Sequence, residues 1–550
     1  MPTYFTNIKQ KNILDISKKI LEFLHIKQKI YQIFIIIFQT IALNRIDKIV
    51  HNSRIDIKKP TGKKIIFYTI GRYGIMGYFE ASIAKSLQIR GYDVKMLVCG
   101  GALNMCTTHF TINQPYHPWV CKNCISFSKN FFKTAELPFS SFNDYITKEE
   151  IENIKKRINK LSIKKCEEME YKEVKVGIQA KISTGRYFLG DIPSKNEYEK
   201  ILRLELINAI ISTIVAENLY KKEKPDILVT SQGVYSSWGS LTEYFTNKNI
   251  RVNIWGGGEG DTITFDRHKS QEYYKMYYEE IRKKQPLNSN EEKELNGFFN
   301  RRISGKEGQV AYYGFSNTKK EELEKLFQFK NYDKTYAIFP NVPWDAAVLT
   351  ANTAFKDVYE WILYTIEIFK EKQNHLLIIK IHPSELKFAE SKHTLLDFIN
   401  KNYSILPKNI KILPSETSIS PYSLFPFIDI GIVYVGTIGL EMSVNNIPVI
   451  VAGDAHYKNK NFTYDISTKK DYSKLLLEDL KPLPDQQNLA KIYSYYHFIK
   501  KFIPRDFIYA NSFLDIGWNI SSLEGFMPGK NKHLDHICNY IINNGIFQNW

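Results

Sequence analysis

Cysteine is scarce, six residues in 550. That is too few for a disulfide-stapled scaffold and makes a reducing compartment the expected setting. A long hydrophobic run is missing too. The most apolar stretch, Ile30 to Leu43 (IYQIFIIIFQTIAL), is broken by Gln32 and Gln39. At about 14 residues it falls short of the roughly 20 that a membrane span needs. No charged segment leads at once into an apolar core and a small-residue cleavage site, so no secretory signal is read. Internal repeats and low-complexity tracts do not stand out. Nor does a basic stripe interleaved with aromatics, which argues against a nucleic-acid partner. Hydrophobic residues at 43% and charged residues at 24% exclude a disordered or fibrous chain.

The length allows roughly three average domains or two large ones. The net charge of +17 suits an anionic partner such as a nucleotide, a phospholipid surface or an acidic glycan. Residues 1–60 hold 11 Lys/Arg against 4 Asp/Glu around the apolar stretch. Such a segment can lie on an anionic membrane surface; the plainer reading is an accessory helix packed on the body. The expected location is cytoplasmic, peripheral at the inner face of the cell membrane.

Short apolar runs then mark a βαβ unit. Lys63–Thr69 reads as a buried strand, followed by Gly71, Gly74 and Gly77, a helix over Phe79–Arg90 and a strand over Tyr92–Val98. The glycine spacing is not the dinucleotide fingerprint, so NAD is not implied. Residues 148–176 are charged and helix-prone, the pattern of a solvated excursion. Glu197–Tyr220 reads as a long helix, and strands at Asp226–Thr230 and Val252–Trp255 flank a helix at Trp238–Asn247. A second alternation follows. Strands are expected at Tyr336–Phe339, Leu376–Ile381, Ile410–Leu413, Ile428–Tyr434 and Val449–Val451, with helices at Ala354–Lys370 and Gly436–Asn446. Alternating strands and helices argue for parallel sheets covered on both faces. The expected fold class is α/β and GT-B-like: two Rossmann-like domains facing a cleft, with a helical N-terminal extension. The expected boundaries are 1–60 for the extension, 61–325 and 326–480 for the two domains, and 481–550 for a C-terminal segment packing across both.

Ligands of open parallel sheets bind beyond the carboxyl ends of the strands. Three loops of the second half occupy that position. Lys380-Ile381-His382-Pro383-Ser384-Glu385 offers an imidazole on a Pro-fixed loop, able to stabilise a phosphate that gains charge. Lys380 adds charge if it reaches the cleft; the plain alternative is that His382 only caps a turn. Tyr434–Glu441 (YVGTIGLE) brings small residues to a helix start, where backbone N–H groups favour phosphate. Thr437 can cap that helix. Glu441, four residues on, does not complete a capping box, which leaves it to accept from ribose hydroxyls or to complement the helix dipole. Pro414–Pro421 (PSETSISP) supplies hydroxyls, with Ser420 just ahead of a proline at a helix start.

In these segments the chain resembles the bacterial capsule polysaccharide biosynthesis family, which includes the β-Kdo transferases. The matching residues are Phe339–Ala347, Ile379–Glu385, Ser418–Leu424, Val433–Glu441 and Pro448–Tyr464, with Glu80–Cys106 in the first half. The resemblance implies a GT-B glycosyltransferase that needs no metal and no cofactor. Its substrate would be a nucleotide sugar, CMP-linked among the options, bound mainly by the second domain. His382 and Pro383 would contact the nucleotide phosphate, and Thr437, Gly439 and Glu441 would line the same pocket. Where the family has a polar pair before the threonine, this chain has Val435-Gly436. The acceptor would be a surface polysaccharide or a lipid-linked glycan.

Inverting sugar transfer needs a base for the acceptor proton. Trp255–Asp261 (WGGGEGD) offers Glu259 or Asp261, with His109 and Asp345 as rivals. Cys106, Cys121 and Cys124, with His109 and His117 between them, hint at zinc, but a second Cys-x-x-Cys is absent and no metal is expected. Two other functions fit the same fold: transfer of a polyol phosphate from a CDP-linked donor, and nucleotide binding without turnover in polysaccharide assembly or export.

Overall fold

Runs of Ile, Val and Leu with both faces covered give central strands of a parallel sheet. The computed structural model bears that out in two sheets. It describes residues 27–547 apart from 54, 56, 58, 71–74, 107–117, 192, 258–260, 269–276, 282, 284–285, 305, 307–314, 316–317, 350–352, 388–393, 512–514 and 544.

The first sheet contains β1 (Lys64–Tyr68), β2 (Asp93–Val98), β3 (Phe139–Ser141), β4 (Ile227–Thr230), β5 (Arg251–Gly257) and β6 (Thr262–Arg267). The second contains β7 (Lys334–Phe339), β8 (His375–Lys380), β9 (Ile410–Leu413), β10 (Ile430–Val433), β11 (Val449–Val451) and β12 (Tyr464–Asp465). The order across the second sheet is β9-β8-β7-β10-β11-β12, all parallel. This is the Rossmann order 3-2-1-4-5-6. The first sheet runs β3-β2-β1-β4-β5 in parallel and then adds β6 antiparallel. The fold is α/β with two Rossmann-like sheets, the GT-B arrangement.

One more strand of the first sheet, β13 (Ile503–Pro504), pairs antiparallel with β6. The chain thus leaves the second unit and returns to the first. On the way, helix Gln486–Tyr495 buries Ile492, Tyr493 and Tyr495 in the second core. Helix Lys532–Ile542 then packs on helix Ile75–Ile89, adding Leu534, Ile537 and Ile541 to the first core. Arg251 fastens the end of that helix by donating to the carbonyls of Ile541 and Ile542 at 3.1 and 3.0 Å.

Some segments depart from expectation. Residues 148–176 are no solvated excursion: Ile158, Cys166, Val174 and Val176 are fully buried under helix Lys195–Glu223. That long helix starts at a capping box, Ser194 accepting from the Glu197 N–H while the Glu197 carboxylate accepts from the Ser194 N–H. Helix Ser289–Ile303 lies ahead of the expected boundary at residue 326, yet its Leu295 belongs to the second core. The two units meet where the loop after β7 reaches helix Val176–Phe188. There Leu189, Val342 and Trp344 pack together and the Arg186 guanidinium lies 4.9 Å from the Trp344 ring centre.

Candidate functional site

In an open α/β sheet the ligand crevice lies where the strand order reverses. In the second sheet that point lies between β7 and β10. Asn341, just beyond β7, bridges it: its side-chain oxygen accepts from the Val435 N–H beyond β10 at 3.1 Å.

His382 follows β8 at the same edge and is half-buried. Its Nδ1 accepts from the Ser384 N–H at 3.1 Å. In the neutral ring the proton is therefore on Nε2, which makes Nε2–H a donor. Burial, and then the Lys380 charge, push the imidazole down to about 4. His382 is thus a neutral donor near pH 7. Lys380 is itself buried, with its ammonium 4.7 Å from the Phe315 ring centre, so its charge reaches the loop as a field. Pro383, also buried, fixes the turn.

Other expected residues have structural partners. Glu385 is buried and accepts from the Leu395 N–H at 2.9 Å, capping the helix Leu395–Asn402; burial pushes its carboxyl up to about 7. Ser420 caps the short helix Pro421–Leu424 through the Tyr422 N–H at 3.3 Å. Thr437 does not cap with its side chain, contrary to expectation: it already has helical backbone angles, which aim the hydroxyl away from the N–H groups ahead. Gly439 is explained by packing, since a Cβ there would lie 2.2 Å from the Tyr457 hydroxyl. That hydroxyl donates to the Gly436 carbonyl at 2.5 Å. Glu441 is buried, and its Oε1 pairs with Arg302 at 3.1 Å. Its Oε2 has no hydrogen-bond partner among the described residues. A buried carboxylate oxygen left so is costly, and a hydroxyl from a ligand would relieve it.

Beyond β11 a further group gathers that the sequence reading missed. His456 stacks on His497 with ring centres 4.1 Å apart. The Tyr493 hydroxyl donates to the His456 carbonyl at 3.0 Å and contacts Nδ1 at 3.1 Å. Enclosure by the protein, with Lys501 and Lys460 nearby, pushes His456 down to about 3 although its side chain reaches solvent. Nothing in a lone histidine 41 positions away signals that stacking.

On the first sheet, Asp261 is exposed and ion-paired with Arg505. Glu259 and His109 lie outside the described residues, as does His117. Asp345 sits at the junction of the two units, its carboxylate accepting from the Ala347 N–H at 2.9 Å. Desolvation raises its pKa, against the lowering effect of Arg186. Glu80 was also missed. It is buried between the ends of β1 and β5, accepting from the Thr69 hydroxyl and, at 2.8 Å, from the Trp255 indole N–H. Burial pushes its carboxyl up to about 8. Its signal was an acid within an apolar helical run directly after the first strand.

Cys99, Cys106, Cys121 and Cys124 line one cavity at the end of β2, with Ile70, Val98 and Ile125. Burial pushes the Cys99 thiol up to about 12 and raises Cys121. Such thiols are protonated and poorly nucleophilic. Among the described residues no three His, Cys, Asp or Glu side chains are placed to hold a metal ion.

No protein-family model matches the chain, and no curated protein does. Among solved structures the chain is similar to two Thermosulfurimonas dismutans KpsC structures. One is a β-Kdo 2,7 transferase (14% identity, 55% of this chain and 80% of that chain, TM-score 0.27). The other is a β-Kdo 2,4 transferase (10% identity, 58% and 88%, TM-score 0.33). It is also similar to a UDP-GlcNAc 2-epimerase from Neisseria meningitidis (13% identity, 79% and 95%, TM-score 0.23). Overlap of this extent carries no chemistry across; that rests on the side chains above.

Proposed function

We propose that the protein is a glycosyltransferase that moves a sugar from a nucleotide-activated donor to a polysaccharide or lipid-linked acceptor without a metal. The supporting observation is the His382 tautomer at the carboxyl edge of a Rossmann-ordered sheet. As the bond from sugar to phosphate breaks, negative charge grows on the leaving nucleotide. A preoriented Nε2–H, backed by the nearby Lys380 charge, stabilises that charge more than it stabilises the ground state. The Oε2 of Glu441, buried without a hydrogen-bond partner among the described residues, would take a ribose hydroxyl. Asp345, at the junction of the units, is the carboxylate best placed to take the acceptor proton, and its raised pKa makes it a better base.

A thermal-shift screen against CMP, CDP, UDP and GDP tests the donor site. The cognate nucleotide at a hundredfold over its Kd should add about 2.7 kcal/mol of stability. Incubation with the matching activated sugars, with and without EDTA, should release free nucleotide and form a glycoside in both. A phosphodiester product would instead establish polyol-phosphate transfer. Binding with no product from any donor would make the protein a nucleotide-dependent assembly component.

A further inference from the structure

Helix Lys27–His51 is apolar on two opposite faces. One face is sealed: Ile35, Ile46 and Ile49 are buried, the last two in the first core. Arg45 clamps this side to the body through Asp515 at 2.7 Å and the Tyr509 hydroxyl at 2.6 Å. The other face carries Ile33, Phe34, Ile36, Ile37 and Ile41, each 41–56% exposed. Positions 33, 36, 37 and 41 fall on one side of a helix, and 34 lies at its margin. Five large apolar side chains within nine residues form a continuous exposed patch, which marks an interaction surface rather than scattered surface apolarity.

We propose that this face docks the protein on an anionic phospholipid bilayer, with the helix lying in the plane of the interface. Charge selects the occupant. The helix carries Lys27, Lys29 and Lys48 against Asp47, besides Arg45 whose charge is paired with Asp515, in a chain of net charge +17. Apolar burial and attraction to anionic headgroups together set the affinity of such helices. The orientation follows from the sealed face: a helix held to the core by Ile46, Ile49 and the Arg45 clamp cannot turn to cross the membrane, and no helix among the described residues is long and apolar enough to do so. The surface is independent of the donor site, so the proposal does not rest on the glycosyltransferase reading.

The test uses the full chain, wild type and the triple variant Ile33→Ser, Phe34→Ser, Ile37→Ser, with phosphatidylglycerol or phosphatidylcholine vesicles. Wild type should co-sediment with phosphatidylglycerol, less at high salt, and weakly with phosphatidylcholine. The triple variant should bind roughly tenfold or more weakly with its thermal midpoint kept, because the replaced side chains are exposed. Equal binding by both proteins, no wild-type binding, or no preference for the anionic lipid would overturn the proposal. So would a wild-type dimer, seen by sedimentation equilibrium, that the triple variant converts to monomer; that result would seat a second copy of the chain on the face.

Discussion

The two sheet edges differ in the ionisable groups that they perturb. At the edge of the first sheet the perturbed group is an acid, Glu80, pushed up to about 8. A second buried acid of that unit, Glu205, is pushed up to about 7, against hydrogen bonds from Ser236 and Asn208. At the edge of the second sheet one acid, Glu385, is pushed up to about 7, and two bases are perturbed as well. His382 falls to about 4 and His456 to about 3, with lysines beside both. Burial disfavours whichever form is charged, so both sets tend toward neutrality near pH 7. They differ in what would charge them. An anion entering the second edge would favour imidazolium. An anion at the first edge would hold Glu80 protonated still more firmly. That asymmetry supports the proposed seating of the phosphate on the second sheet.

Breaking the second edge should have the largest effect. His382→Ala removes the oriented donor and should lower kcat by about 10²–10³, close to 3–4 kcal/mol in the barrier, with the fold intact by circular dichroism. Unchanged turnover would remove His382 from the chemistry. The junction comes next. Asp345→Asn should lower kcat by roughly 10² or more. Asp261→Asn should stay within a few-fold, because that carboxylate is 79% exposed and engaged with Arg505. The reverse ranking in steady-state assays would return the base to the loop after β5. The smallest effect sharpens the first edge. Glu80 has a folded pKa above its unfolded one, so its burial costs nothing below about pH 4.5. The cost grows as pH rises toward about 8 and is constant above. Wild type should lose up to about 1.4 kcal/mol per pH unit from this group across that window. Glu80→Gln, which keeps an acceptor for Thr69 and Trp255, should lack that share of the slope. Urea denaturation at pH 5, 6.5 and 8 measures it; parallel curves would mean that Glu80 is not buried as an acid.

Much of this architecture was legible because central strands advertise themselves. Ile65–Tyr68, Leu376–Lys380 and Ile430–Val433 are uniformly buried, and uniform apolar runs give them away. Strands β3, β12 and β13 are two or three residues long, and their pairing is decided by distant chain, not by local pattern. The site was readable as loops and not as bonds. The His-Pro loop follows β8 as expected, and the neutral donor form of His382 depends on the Ser384 N–H folding back. Ser420 ahead of a proline was recognisable as a helix start. Glu385 caps a helix ten residues away, and Glu441 meets Arg302 from a helix far earlier in the chain. Contacts of that range leave no periodic trace. Residues 148–176 misled for the opposite reason: their charge density hid a few apolar side chains that the long helix covers.

The return of the chain to the first sheet has a consequence for biosynthesis. Ile503, Phe507, Trp518, Phe526, Leu534 and Ile537 complete a core whose other half, Ile65 to Phe265, leaves the ribosome far earlier. At about 5–20 residues per second, the 240 or so intervening residues take roughly ten to fifty seconds to make. Throughout that interval β6 is an open sheet edge and the face of helix Ile75–Ile89 is bare, the conditions that invite edge pairing and aggregation. The second unit, complete once helices Lys469–Leu477 and Gln486–Tyr495 follow β12, can close ahead of the first. The nascent protein would thus mature in reverse order, and a holding chaperone would find its binding surface on the half that was synthesised first.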